Sequence, residues 1–107
     1  MKSDTMGLTA SDLAFLTRAA QQLPEIESVT LFGSRAKGTH RKGSDVDLAV
    51  QGDKVTEDTI ARLADQLNEQ LPLPYFFDVL NYNALTDSEL LAHINRLGRV
   101  IYRTPMK

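Results

Sequence analysis

The sequence predicts an α/β (α+β) fold in which a small mixed β-sheet is covered by helices, and three observations carry that expectation. Short runs suited to strands, Ser28–Phe32 (SVTLF), Asp45–Val50 (DVDLAV) and Phe76–Leu80 (FFDVL), alternate along the chain with runs of helical periodicity. From about Glu57 to Leu71, the residues Ile60, Leu63, Ala64, Leu67 and Leu71 recur at three and four positions, the spacing of an amphipathic helix packed on a sheet. The chain has 107 residues, 42% hydrophobic and 24% charged, which suits one core and a single domain over residues 1–107.

Taken in order, the first helix is expected to start at Thr9, whose hydroxyl can cap first-turn amides while Asp12 reaches back in a capping box. Leu13, Leu16, Ala20 and Leu23 continue its apolar stripe up to Pro24. Ser28–Phe32 alternates polar and apolar residues as a strand does, and Gly33 ends it. Residues 34–42 read as a short helical turn or loop punctuated by Gly38, with Gly43 just beyond. In the second strand the period of two puts Asp45, Asp47 and Ala49 on one face and Val46, Leu48 and Val50 on the other. Pro72 and Pro74 stop the long helix, and Tyr75, Phe76 and Phe77 read as core of the third strand. A last helix is expected from Thr86 as cap, with Glu89 at the third position, through Leu90, Leu91, Ile94 and Leu97 to Gly98. Val100–Tyr102 is long enough only for an edge strand.

Composition narrows the function classes. With no cysteine there is no disulfide framework or thiolate zinc site, and His40 and His93 lie far apart, so any metal is expected on oxygen. His40 reads as solvent-exposed and His93 as structural or surface. No stretch approaches the roughly 20 apolar residues that span a bilayer, and the N-terminus lacks a signal pattern, so a cytoplasmic location without membrane partners is expected. A net charge of −2 argues against non-specific nucleic-acid binding. The charge is uneven, however: residues 28–44 hold no Asp or Glu but contain Arg35, Lys37, Arg41 and Lys42.

Asp45, Asp47 and Asp78 each interrupt an apolar strand. A carboxylate buried beside a core without a partner costs several kcal/mol, so each must be solvated, paired or bound to a cation. A shared exposed face would let all three hold a hard divalent ion such as magnesium, which takes oxygen ligands and is completed by water and substrate phosphates. Two such ions clamp the entering and leaving oxygens of a displacement at phosphorus. About a dozen residues earlier, Gly33-Ser34 directly follows a strand, where glycine lets the backbone approach a phosphate and Ser34 adds a hydroxyl donor. Arg35 and Lys37 stand close enough in sequence to neutralise phosphate charge. Taken singly, Asp-x-Asp is common at solvated strand edges and Gly-Ser-Arg is ordinarily a turn; the spacing between them carries the inference.

Gly33-Ser34-Arg35-Ala36-Lys37-Gly38 followed by Ser44-Asp45-Val46-Asp47-Leu48 resembles the Gly-Ser and Asp-x-Asp signature of polymerase β-type nucleotidyltransferases. With Asp78 as the third carboxylate, the resemblance runs from Ser28 onward and is closest to the minimal nucleotidyltransferases, which are little more than the catalytic core. It implies a polymerase β-like core that transfers a nucleoside monophosphate, AMP from ATP, with two magnesium ions. It also implies a separately encoded helical HEPN-type partner in a hetero-oligomer, the nucleotidyltransferase being the antitoxin of the pair.

Carried over by position, the resemblance makes Asp45 and Asp47 ligands of both metals and Asp78 the third ligand of the catalytic one, helping to activate the acceptor hydroxyl. Gly33 and Ser34 become the phosphate cradle, with Arg35 and Lys37 as further phosphate contacts. Two other readings stay open: a binding-only antitoxin without turnover, and a small-molecule (antibiotic) nucleotidyltransferase. Against the first, a pure binding module has no need of three convergent carboxylates. Against the second, an acceptor-gripping domain is expected and the chain shows none. Phe76 shares the parity of Asp78, and Tyr82 and Asn83 could border a nucleotide pocket.

Overall fold

The computed structural model describes residues 8–38, 45–71, 73 and 75–104. Helix α1 spans Ala10–Gln21; its cap is Thr9, whose hydroxyl accepts from the Asp12 N–H at 3.0 Å while the Asp12 carboxylate accepts from the Thr9 N–H at 2.9 Å. The expected capping box is therefore formed, a feature typically worth about 1 kcal/mol. Strand β1 (Ser28–Phe32) leads into a single helical turn, α2 (Ser34–Lys37), closed by Gly38 in the left-handed region. The rest of the segment expected as a turn or loop, residues 39–44 with His40, Arg41, Lys42 and Gly43, lies outside the described residues.

Strand β2 covers Val46–Gln51, helix α3 Glu57–Asp65, strand β3 Phe77–Asn81, helix α4 Ser88–Leu97 and strand β4 Arg99–Arg103. The sheet order is β3-β2-β1-β4. Strand β1 runs antiparallel to β2 and β4, and β2 runs parallel to β3, so the sheet is mixed as expected. Parallel pairing needs a crossover, which α3 supplies. Its expected helical run to Leu71 is completed by a wide π-helical turn, Gln66–Gln70. That turn puts Asn68 beside the start of β3, where its amide accepts from the Phe77 N–H at 2.8 Å and donates to the Phe77 carbonyl at 3.0 Å.

Two helices cover one face and one covers the other. Leu16, Ala19 and Ala20 of α1 and Ile60 and Leu63 of α3, with Leu67 of the wide turn, pack on Val29, Leu31, Val46, Leu48, Val50 and Phe77. On the opposite face Ile94 of α4 packs on Phe32 and Ala49. Strand β1 is thus interior and covered on both sides, so all five of its residues are buried, including Ser28 and Thr30.

Several boundaries differ from expectation. β2 and β3 each start one residue later than predicted, within the usual latitude of strand ends. Phe77 is buried but Phe76 is 59% exposed, because alternation sends Phe76 to the face of Asp78 instead of the α1/α3 core. The cap of α4 is Asp87, not Thr86: its carboxylate accepts from the N–H groups of both Glu89 (3.0 Å) and Leu90 (3.2 Å). Gly98 ends α4 with φ −66°, and its small size is what matters, since a Cβ there would strike the Ile94 carbonyl and the Thr30 methyl. Among the described residues no helix is long and apolar enough to cross a membrane.

Candidate active site

Topology alone gathers the predicted residues at one end of the sheet. Because β1 and β2 are antiparallel, the end of β1 lies beside the start of β2, and Phe32 pairs with Asp47. Because β2 and β3 are parallel, the start of β3 lies there too, and Asp47 pairs with Asp78. Gly33 follows Phe32, so the Gly33-Ser34 turn, Asp47 and Asp78 sit on three consecutive strand ends on the α4 side of the sheet. Asp45 directly precedes β2 and is exposed, as is Asp78, whereas Asp47 is partly buried.

Gly33 adopts φ 82° and ψ −153°, a conformation open in practice only to glycine. A second constraint acts on the same atom: a Cβ at Gly33 would overlap an oxygen of the Asp47 carboxylate. The turn is therefore pressed directly against the central carboxylate. From α2, the Lys37 N–H donates to the Gly33 carbonyl at 3.1 Å, and Gly38, at φ 78°, donates its N–H to the Arg35 carbonyl at 3.2 Å.

Burial pushes the Asp47 carboxyl above the usual carboxylate range, and the negative charges of Asp78 and then Asp45 push it further, with His93 acting in the opposite sense. Asp47 thus feels the charge of both other carboxylates. Among the described residues no three acidic, His or Cys side chains form a ready-made cation cage. The donor set nevertheless fits a hard divalent ion: the oxygens are all carboxylate, and the repulsion on Asp47 is what a cation relieves.

The two predicted cations part company. Lys37 is exposed at the end of α2. Arg35 is only 3% exposed, with its guanidinium carbon 4.9 Å from the centre of the Tyr75 ring. The Tyr75 hydroxyl in turn donates to the Asp12 carboxylate at 2.7 Å, which joins α2 to the capped start of α1.

Two residues singled out beside the third strand do not reach the site. Tyr82 and Asn83 follow the far end of β3, four or five residues or ~13–17 Å along from Asp78. There the Tyr82 hydroxyl donates to Asn95 at 2.8 Å, and Asn83 donates to the Gly52 carbonyl at 3.2 Å. One residue was underrated. His93, on α4, accepts a hydrogen bond from the Gly33 N–H on Nε2 at 3.0 Å and packs edge-on against Phe32, with ring centres 6.1 Å apart. Its sequence signal was positional: it lies three residues after Leu90 and one before Ile94, beside the stripe that faces the sheet.

The Gly33-Ser34 turn abuts Asp47, Asp45 stands just before β2 and Asp78 is level with Asp47 on the next strand, which is the arrangement that the resemblance to nucleotidyltransferases implied. The family profile for polymerase beta nucleotidyltransferases matches residues 15–106, and the chain belongs to that family. It is 33% identical over 100 residues to "Probable protein adenylyltransferase MntA" of Haemophilus influenzae, spanning 90% of this chain and 83% of that one.

Solved structures agree on the fold. A toxin-antitoxin crystal structure with AMP-PNP superposes with TM-score 0.69 at 23% identity, over 91% of this chain and 75% of that one. A complex of a tri-AMPylated Shewanella oneidensis HEPN toxin with an MNT antitoxin superposes with TM-score 0.66 at 18% identity, over 88% of this chain and 71% of that one.

Proposed function

We propose that this nucleotidyltransferase moves AMP from ATP to a hydroxyl of a partner protein, and that the partner is a helical HEPN-type toxin that the chain neutralises as an antitoxin. The observation that carries the chemistry is the convergence of Gly33, Asp47 and Asp78 on neighbouring strand ends. The choice of nucleotide and acceptor rests on likeness to a relative named as a protein adenylyltransferase and to toxin-antitoxin complexes, one with AMP-PNP and one with an AMPylated toxin.

In this reading the Gly33-Ser34 turn receives the β- and γ-phosphates, with Lys37 contributing charge from the end of α2. The buried Arg35 acts through the turn, anchoring α2 against Tyr75. Asp45 and Asp47 hold the ions that accompany the nucleotide, and Asp78 completes the site on the acceptor side. Magnesium, when bound, supplies charge neutralisation at the phosphates and lowers the pKa of the attacking hydroxyl. The acceptor oxygen bonds to the α-phosphorus, the bond from that phosphorus to the bridging oxygen breaks, and pyrophosphate leaves. In the same reading Asp78 helps to take up the proton that the hydroxyl gives up.

The test is incubation with labelled ATP, magnesium and the product of the neighbouring gene, followed by intact-mass measurement of both proteins. A gain of one or more AMP units on the partner is expected. A complex that forms without any mass gain would replace this reading with a binding-only antitoxin.

A further inference from the structure

The polar groups of Gly33 are fixed from two directions. Its carbonyl accepts from the Lys37 N–H within the same turn, but its N–H is held from another layer of the fold, by Nε2 of His93 on α4, 60 residues away in sequence. Glycine has no side chain to restrict its backbone, so a Gly at positive φ needs outside contacts to hold one conformation. To accept from this N–H, Nε2 uses its ring lone pair. The edge-on contact with Phe32 fixes the plane of the imidazole and so the direction of its lone pair. Against the same glycine lies the Asp47 carboxylate, near enough to forbid a Cβ.

We propose that His93 is a positioning residue for nucleotide binding, which clasps the Gly33 amide and so sets the spacing between the phosphate turn and Asp47. The inference rests on the reading of that turn as the triphosphate cradle. Without the clasp the Gly33 backbone is free to rotate, and the turn and the carboxylate lose the fixed relation that a triphosphate with its metal must bridge. Preorganisation of this kind acts on binding of the nucleotide more than on the displacement that follows. The signature is therefore a raised KM for ATP with kcat little changed.

The experiment compares His93→Leu, which removes the acceptor, with His93→Gln, whose carbonyl oxygen can reach the same amide. A non-hydrolysable ATP analogue with magnesium is titrated against each, transfer kinetics are measured, and hydrogen exchange at the Gly33 amide is followed. His93→Leu is expected to weaken analogue binding and raise KM by about tenfold, the loss of one hydrogen bond, and to remove protection at Gly33. His93→Gln is expected to recover most of both. If the Leu variant does not fold, His93→Asn, too short to reach Gly33, takes its place with the same expected losses.

Native affinity in the Leu or Asn variant, or equal impairment with Gln, overturns the role of His93. Failure of the unsubstituted chain to bind the analogue is a different result, visible before any variant is made. It removes the phosphate-cradle reading and this role with it.

Discussion

Asp47 and Asp78 stand across from each other in the parallel β2–β3 ladder, so two like charges occupy one step of the sheet, with Asp45 two residues before. Together with burial, this arrangement raises the Asp47 carboxyl above its ordinary value. A carboxyl raised on folding favours the folded state while protonated. That contribution is complete below the unfolded value, near 3.8, and is lost as pH climbs through the higher folded value.

Asp47→Asn is accordingly expected to melt above the native chain at about pH 7 and together with it at about pH 3, where Asp47 is protonated in both states. Melting curves across that range check the sign. The same variant is expected to lose nucleotidyl transfer, and retention of near-normal transfer would remove Asp47 from the mechanism.

Asp78→Asn separates binding from chemistry. In the proposed reading the nucleotide and its metal are held on the Gly33 and Asp47 side, so affinity for the ATP analogue with magnesium should largely persist. Transfer to the partner should fall by about 10²-fold or more, as when activation of a nucleophile is lost. Affinity, melting temperature and rate, measured on one preparation, decide the matter; transfer at the normal rate would withdraw the third carboxylate.

A non-hydrolysable ATP analogue is expected to raise the melting temperature only when magnesium is present. At a hundredfold excess over Kd the linkage stabilises the fold by about 2.7 kcal/mol. Ser34→Ala should shrink the shift. The same shift in excess EDTA would contradict the metal-dependent site.

The Asp12–Tyr75–Arg35 group gives a prediction of opposite pH sense. Burial pushes the Asp12 carboxyl up, but hydrogen bonds from the Thr9 N–H, the Tyr75 hydroxyl and the Thr9 hydroxyl, with the Arg35 charge, outweigh it and leave the carboxyl below its usual range. Its contribution is present above the unfolded value of 3.8 and is lost as pH falls through the lower folded value. Tyr75→Phe keeps the ring under Arg35 and should cost about 1 kcal/mol in urea unfolding at about pH 7. Most of that cost should vanish in an Asp12→Ala background, since the two groups share one bond.

Much of the site was legible because its residues break a pattern. An Asp in an apolar strand, or a Gly between a strand and a cluster of cations, shows in a single sequence, and the period of two already put Asp45 and Asp47 on one face. What the pattern could not contain was sheet neighbourhood. No local signal says that β1 is interior and roofed by α4, so the burial of Ser28 and Thr30 is not legible in SVTLF alone. The burial of Arg35 is not legible because its contact with Tyr75 spans 40 positions of chain, and the place of Tyr82 is not legible without the direction of the strand before it. The clasp of His93 on Gly33 joins two elements whose proximity depends on the whole fold.

The wide turn that ends α3 has a further consequence. β3 lies at the border of the sheet, bonded to β2 on one side, and its first residue is gripped by the amide of Asn68. Border strands open at lower free energy than interior ones. Asp78 therefore rides on one of the two border strands, while Gly33 and Asp47 belong to interior strands or their ends. If Asp78 serves transfer as proposed, local opening of β3 on warming would cost transfer before it cost nucleotide binding, and activity would fade below the melting temperature of the whole fold.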